Sequence, residues 1–147
     1  MTQRTQIHAT CVAIGGRGVL LRGPPGAGKS ELAARLIVEA AAQLVADDRT
    51  DLAPEGGHLI ACAPAAIAGR IELRGVGIAM LPRAQQATVA LLVDLTSAPQ
   101  RLPEPAAEML LGVRLPRAEL DPGSPAAPAK LRLALGAGGA TILPLDD

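Results

Sequence analysis

The chain has 147 residues, with 14 Lys and Arg against 14 Asp and Glu, and it contains no Phe, Tyr or Trp. The balanced charge argues against a general nucleic-acid or membrane-surface binder, and the lack of aromatic side chains removes any platform for stacking bases. No apolar run reaches the roughly 20 residues of a membrane span, and the polar first six residues show no secretory signal. We therefore expect one cytoplasmic domain over residues 1–147 with an aliphatic core, in which Cys11 and Cys62 are small buried side chains rather than a disulfide.

The chain opens with a predicted β-hairpin. Residues 7–14 (IHATCVAI) and 19–22 (VLLR) are apolar strands, and the glycine-rich run 15–18 joins them. If facing residue numbers in this hairpin sum to about 33, His8 lies opposite Pro24 and Pro25. A histidine there can tune the charge of a neighbouring acid, whereas a histidine at a strand end without a role is the alternative.

A phosphate-binding motif follows this hairpin. The pattern G-x-x-x-x-G-K-[ST] is matched without a gap by Gly23, Pro24, Pro25, Gly26, Ala27, Gly28, Lys29 and Ser30. A strand precedes the motif and a helix over residues 31–42 follows it, which is the context that the motif requires. Backbone N–H groups of the loop then bind phosphate, Lys29 reaches the outer phosphates and Ser30 ligates Mg²⁺. A glycine-rich turn that matches by chance is the alternative.

Two adjacent carboxylates end the next predicted strand. The helix directs Leu32, Leu36, Ile37, Ala40 and Ala41 at the sheet, and residues 44–46 then form a short buried strand before Asp47 and Asp48. Ligands gather beyond the carboxyl ends of strands, so one carboxylate can orient or deprotonate an attacking hydroxyl and the other can hold Mg²⁺ directly or through water. Neighbouring residues point to opposite faces, so the two should not share one role. A polar turn is the alternative.

The middle of the chain predicts two further β-structures. Residues 50–53 and 58–63 form a hairpin around residues 54–57, and one helical turn spans residues 64–68. In residues 70–78 (RIELRGVGI), Arg70, Glu72 and Arg74 alternate with apolar residues, which indicates a half-exposed strand. Those three charges are either solvated surface or a site for phosphate and metal.

The last third shows fewer signals. Residues 89–95 (VALLVDL) are an interior strand, and residues 96–105 are loop-like. A short helix is predicted over residues 104–112. Residues 120–128 are rich in helix breakers, and a second helix is predicted over residues 129–135, ending at Gly136.

Three stretches together resemble the catalytic domain of HPr kinase/phosphorylase, which phosphorylates a seryl residue of the phosphocarrier protein HPr. They are Ile7-His8-Ala9, the loop GPPGAGKS leading through a helix to LVADD, and IELRGVGI. The similarity covers residues 7–81 and fits a short form of the enzyme without the separate N-terminal domain. It implies an α/β fold, a P-loop kinase-like domain with a mixed central sheet, β-hairpins and short flanking helices.

The resemblance also implies roles for single residues. The loop from Gly23 to Ser30 binds ATP, with Lys29 neutralising the phosphates and Ser30 on Mg²⁺. Asp47 is the base toward the seryl hydroxyl, and Asp48 and Glu72 serve the metal and phosphate site. His8 matches the active-site histidine of the family, and Arg74 contacts phosphate.

The implied partner is an HPr-like phosphocarrier of the bacterial phosphotransferase system, with no nucleic acid and no membrane, in a homo-oligomer that is a hexamer in the family. The family also removes the phosphate by phosphorolysis, which yields pyrophosphate. Pro24 and Pro25 depart from the family's loop because they remove two N–H donors, and residues 111–135 match its Arg-bearing loop and terminal helix poorly. Other readings are another small P-loop phosphotransferase and a nucleotide-sensing module without turnover.

Overall fold

The computed structural model describes residues 4–102 and 107–142. Within these residues the chain forms strands, two α-helices and two short 3₁₀ turns. In chain order the elements are β1 (Thr5–Ile7), β2 (Thr10–Ile14), β3 (Arg17–Arg22), α1 (Lys29–Glu39), β4 (Gln43–Ala46), β5 (Thr50–Glu55), β6 (His58–Cys62), a 3₁₀ turn (Ala65–Ile67), β7 (Arg70–Leu73), β8 (Gly77–Met80), β9 (Ala87–Leu95), β10 (Ala107–Leu110), β11 (Val113–Leu120), α2 (Ala127–Ala134) and a 3₁₀ turn (Ala137–Gly139).

A mixed sheet organises the fold around β9. The strand order is β1-β5-β6-β9-β3-β2-β4; β11 pairs with the end of β9, and β10 pairs with β11. Strands β3 and β9 are parallel, whereas β2 runs antiparallel to both β3 and β4. The ends of β3 and β4 therefore meet at one edge, which is where the glycine loop and the acidic pair follow. Strands β7 and β8 form a separate two-stranded sheet.

The aliphatic core lies on both faces of this sheet. On one face, α1 and α2 bury Leu32, Leu36 and Leu131 against the sheet, and on the other Leu52 and Leu59 pack within a second buried cluster. A bulge at Ala90 in β9 changes which residues face each cluster, since Gly18 pairs with Val89 but Val19 pairs with Leu91. The predicted α/β architecture and the predicted interior strand are confirmed.

Helix α1 is shorter than the sequence predicts. It begins at Lys29 and ends at Glu39 rather than at residue 42. Ala41 has φ of +55° and is exposed, so the expectation that it faces the sheet is wrong. The chain leaves the helix here because the Ala40 and Ala42 N–H groups both donate to the Leu36 carbonyl, which turns it toward β4.

Two other predictions are wrong. Residues 7–14 do not form one strand, because β1 pairs with β5 whereas β2 pairs with β3, and the chain changes partner at His8 and Ala9. The predicted helix over residues 104–112 is instead β10 and its turn into β11, apart from residues 104–106, which lie outside the described part. The hairpin of β5 and β6, the helical turn at Ala65–Ile67 and the late helix are confirmed.

The prediction that both cysteines are buried without a disulfide is confirmed for Cys11 and holds in part for Cys62. Cys11 and Cys62 are free; Cys11 is buried, which raises its thiol pKa to about 12, and Cys62 is half-buried. Among the described helices, none is long and apolar enough to cross a bilayer.

An ion-pair network fixes the chain where it leaves β3 for the glycine loop. The Arg22 guanidinium donates to Asp94 at 2.8 and 3.0 Å and to Glu108 at 2.8 and 2.9 Å. Arg117 donates to Asp94 at 2.7 Å and to Glu119 at 3.1 Å. Burial alone would raise the pKa of Asp94, but hydrogen bonds from both arginines outweigh it and lower the pKa. The network joins β3, β9, β10 and β11 beside Gly23.

We expect Asp94→Asn to lower the free energy of unfolding by roughly 1–3 kcal/mol at pH 7, because it leaves two partly buried guanidinium groups without their shared carboxylate. The folded-state pKa lies below the ordinary 3.8, so the stabilisation is complete above pH 3.8 and is lost as the pH falls through the folded-state value. Urea unfolding from pH 7 to pH 3 measures both effects, with Asp51→Asn as a control carboxylate. A constant difference across this range would contradict the account.

Candidate active site

The glycine loop turns sharply before α1. Gly26 and Gly28 have φ of +82° and +98°, a left-handed backbone that side chains rarely adopt. Helix α1 begins directly after Gly28, so its first N–H groups have no acceptor within the helix. Such N–H groups and the positive end of the helix dipole bind anions. The loop therefore has the backbone of a phosphate site.

Lys29 is buried beneath this loop. Its Nζ donates to the carbonyl of Gly23 at 2.8 Å and to that of Pro24 at 3.3 Å. An ammonium group has three donors, so one is left for a phosphate oxygen. Lys29 thus holds the loop in shape and brings the positive charge that the motif requires.

The two prolines define the start of the loop. Both are exposed, and the Pro24 carbonyl accepts the Ala27 N–H at 3.0 Å, which closes a tight turn. Because neither proline has an N–H and Ala27 uses its own within the turn, the donors left for phosphate begin with Gly26 and continue from Gly28 to Ser30. The prolines therefore leave fewer loop N–H groups free to bind a phosphate.

Asp47 is the most heavily hydrogen-bonded carboxylate at this edge of the sheet. Its Oδ1 accepts from Ser30 Oγ at 2.7 Å and from Thr10 Oγ1 at 3.1 Å, and its Oδ2 accepts from the Glu72 N–H at 3.1 Å. The three donors come from α1, β2 and β7. Asp47 itself is buried, so these contacts compensate for the removal of its charge from water.

Asp48 takes a different position. It is exposed, with φ of +71°, and its N–H donates to Thr10 Oγ1 at 3.0 Å. Thr10 therefore contacts both members of the pair, donating to Asp47 and accepting from Asp48. Asp47 is thus buried and Asp48 exposed, and separate roles for the two remain a prediction. Sequence reasoning missed Thr10, because one threonine in an apolar strand carries no signal.

A cavity of about 370 Å³ opens beside the acidic pair. Its walls combine the two carboxylates with residues of the 3₁₀ turn and of the β7–β8 sheet. The lining residues are Asp47, Asp48, Arg49, Ile67, Arg70, Glu72 and Ile78. The exposed side chain of Glu72 thus shares a cavity with Asp47, and its role toward metal and phosphate remains a prediction. The arrangement can hold a polar group between carboxylates and guanidinium groups.

His8 and Arg74 are not among the residues that line the cavity. The β2–β3 ladder begins at Thr10 and Leu21, so facing numbers sum to 31 and the predicted position of His8 opposite the prolines is wrong. Ile7 pairs with Thr50 and Cys11 with Ala46, so His8 instead runs alongside the segment after β4 that contains Asp48. Arg74 is exposed in the turn after β7 and does not line the cavity.

The side chains present fit a magnesium ion. No group of three or more His, Cys, Asp or Glu side chains converges within residues 4–102 and 107–142. However, Mg²⁺ takes oxygen ligands and is commonly held by one or two protein oxygens together with substrate phosphates and water. The Ser30 hydroxyl, held by Asp47 at 2.7 Å beside the phosphate loop, and the carboxylates of Asp48 and Glu72 in the neighbouring cavity offer oxygens of this kind.

The family model described as the HPr Serine kinase C-terminal domain matches residues 1–96. The chain belongs to this family. The match includes the phosphate loop, the acidic pair and the β7–β8 sheet.

Sequence and structure relatives agree with this assignment. HPr kinase/phosphorylase of Clostridium tetani is 39% identical over 82 residues, which is 56% of this chain and 27% of that protein. HPr kinase/phosphorylase of Lactiplantibacillus plantarum is 40% identical over 79 residues, 53% of this chain and 25% of that protein. The chain thus spans about a quarter of the length of these relatives. The structure of the HPr(Ser) kinase/phosphatase from Coxiella burnetii matches with a TM-score of 0.76 and 30% identity, over 89% of this chain and 93% of that one.

Proposed function

We propose that this chain is an ATP-dependent protein serine kinase that phosphorylates an HPr-like phosphocarrier protein of the phosphotransferase system. The observation that carries the proposal is the 2.7 Å contact between Ser30 and Asp47, which joins the phosphate loop to the acidic cavity. A phosphate donor and a hydroxyl acceptor can then meet at one point. The names of the curated relatives, HPr kinase/phosphorylase, support the choice of acceptor.

The loop from Gly23 to Ser30 is the proposed ATP site. Its free N–H groups and Lys29 neutralise the phosphates, as phosphoryl transfer requires. Ser30, Asp48 and Glu72 are the proposed magnesium ligands; the two carboxylates line the cavity with Asp47, and Asp47 contacts Ser30. A bound magnesium ion supplies charge neutralisation and orientation of the phosphates.

Asp47 is the proposed base. Its carboxylate lines the cavity, so a seryl hydroxyl seated there can pass its proton to Asp47 while its oxygen attacks the γ-phosphorus and ADP leaves. His8, which runs beside the Asp48 segment, is proposed to orient the acidic pair, and Arg74 to contact phosphate once substrate is bound.

The reverse reaction uses the same groups. Inorganic phosphate would attack phosphoserine, the serine oxygen would take back the proton, and pyrophosphate would form. We propose this activity and a homo-oligomer, hexameric as in the family, for a cytoplasmic enzyme. Relatives named kinase/phosphorylase and kinase/phosphatase support the dual activity.

The proposal predicts that the protein, incubated with ATP, Mg²⁺ and an HPr carrier, adds one phosphate to a carrier serine, seen by mass spectrometry. Lys29→Ala should abolish the transfer because it removes the loop's cation. Lys130→Ala is the matched control, since Lys130 is exposed on α2 and is the one other lysine of the chain. Thermal unfolding checks that both variants fold.

Transfer that survives Lys29→Ala would contradict the phosphate-loop assignment. ATP binding without transfer to any carrier would favour a nucleotide-sensing module. Transfer to a small molecule instead of the carrier would favour another P-loop phosphotransferase.

The acidic pair makes a second prediction. Asp47→Asn should lower kcat by roughly 10²–10⁴-fold with ATP affinity retained, because it removes the base. Asp48→Asn should chiefly raise the Mg²⁺ concentration required for activity. Steady-state kinetics at varied Mg²⁺ separates the two effects. The opposite pattern would show that the roles of the pair are exchanged.

A further inference from the structure

An apolar row stands on the surface of the β7–β8 sheet. Val76, Ile78 and Met80 have exposed fractions of 81%, 64% and 68%. Ile78 and Met80 alternate in β8, so their side chains share one face, whereas Ala79 between them packs against the core. Val76 lies in the turn directly before β8 and adds a third exposed apolar side chain. Large exposed apolar groups that occur singly need no explanation, but a continuous row of them marks an interaction site.

Charged residues lie directly beside this row. In the β7–β8 ladder, Arg70 pairs with Met80 and Glu72 pairs with Ile78. Opposed side chains of neighbouring strands are about 5 Å apart. We call these five residues, Arg70, Glu72, Val76, Ile78 and Met80, the hairpin face.

The hairpin face is continuous with the candidate active site. Arg70, Glu72 and Ile78 also form a wall of the cavity that contains Asp47. Neither Arg70 nor the neighbouring Arg49 forms an ion pair with any residue in the described part of the chain. A molecule that lies on this face and enters the cavity therefore meets exposed apolar side chains, unpaired positive charge and carboxylates.

We propose that the hairpin face docks the protein that carries the acceptor serine; this inference rests on the proposed function. The expected partner surface has apolar side chains beside the serine and carboxylates that complement Arg49 and Arg70. A nucleotide or small acceptor in the cavity would not extend along the row to Val76 and Met80. A second copy of this chain on the same face would cover the cavity, so it does not fit a site that must admit an acceptor.

The test compares two matched double variants. Val76→Ser/Met80→Ser disrupts the row without changing a residue that lines the cavity. Val38→Ser/Met109→Ser changes the same residue types on α1 and β10, where they have similar exposed fractions of 83% and 61%. The measurements are KM for the HPr carrier, KM for ATP, kcat, the dissociation constant of fluorescently labelled carrier without ATP, and the solution mass by light scattering.

We expect Val76→Ser/Met80→Ser to raise both the KM and the dissociation constant for the carrier about tenfold or more, with KM for ATP unchanged. The control pair should behave as the wild type. An unchanged carrier KM and dissociation constant in the hairpin variant would overturn the docking proposal. So would a change in solution mass alone, because it would assign the face to contacts between copies of the chain.

Direct binding separates this proposal from the proposed function. If the wild type binds the carrier through the hairpin face but transfers no phosphate, the kinase proposal fails and the docking surface stands. If the wild type phosphorylates the carrier and the hairpin variant is unaffected, the kinase proposal stands and the docking surface is wrong. If the wild type does not bind the carrier at all, docking is overturned.

Discussion

The candidate site depends on the hydrogen bonds that the buried carboxylate of Asp47 accepts. A charge removed from water is tolerated where hydrogen bonds replace its solvation, and Asp47 receives them from Thr10, Ser30 and Glu72. Each donor belongs to a different element. One side chain therefore fixes β2, the start of α1 and β7 around a single point, and the polar groups are oriented before any ligand arrives, which is the condition for effective electrostatic stabilisation.

Ion pairs, rather than hydrogen bonds to a buried carboxylate, fix the start of the phosphate loop. Arg22 is the last residue of β3, and its ion pairs with Asp94 of β9 and Glu108 of β10 join these three strands just before Gly23. The loop is thus fixed at one end by partly buried ion pairs and at the other by the Ser30 contact with Asp47. Its glycines and prolines determine the backbone conformation between these two ends. Lys29 stabilises that conformation by donating to the Gly23 carbonyl.

Local signals predicted most of the site, because its parts are short and contiguous. The loop, the start of its helix and the acidic pair follow from motif and strand patterns. The spacing around Glu72 fits solvated surface equally well, and only the family resemblance placed Glu72 at the site. Long-range pairing was harder to foresee: the chain changes partner at His8, which no local pattern reveals. Residues 107–110 (AEML) are good helix formers, yet the turn at Leu111 and Gly112, both with positive φ, pairs them with β11. Strand β11 was not predicted, and its Pro116 argues against a strand because proline is rare in strands other than edge strands.

Hydrogen exchange at the Glu72 amide tests most directly whether Asp47 joins the hairpin to the phosphate loop. In the wild type this N–H donates to Asp47 Oδ2, so residue-resolved NMR should find it protected. In Asp47→Ala it should exchange about tenfold faster or more, while amides of the central strand β9 keep their rates. Equal protection of Glu72 in the two proteins would show that the carboxylate does not hold the hairpin, and would contradict the account.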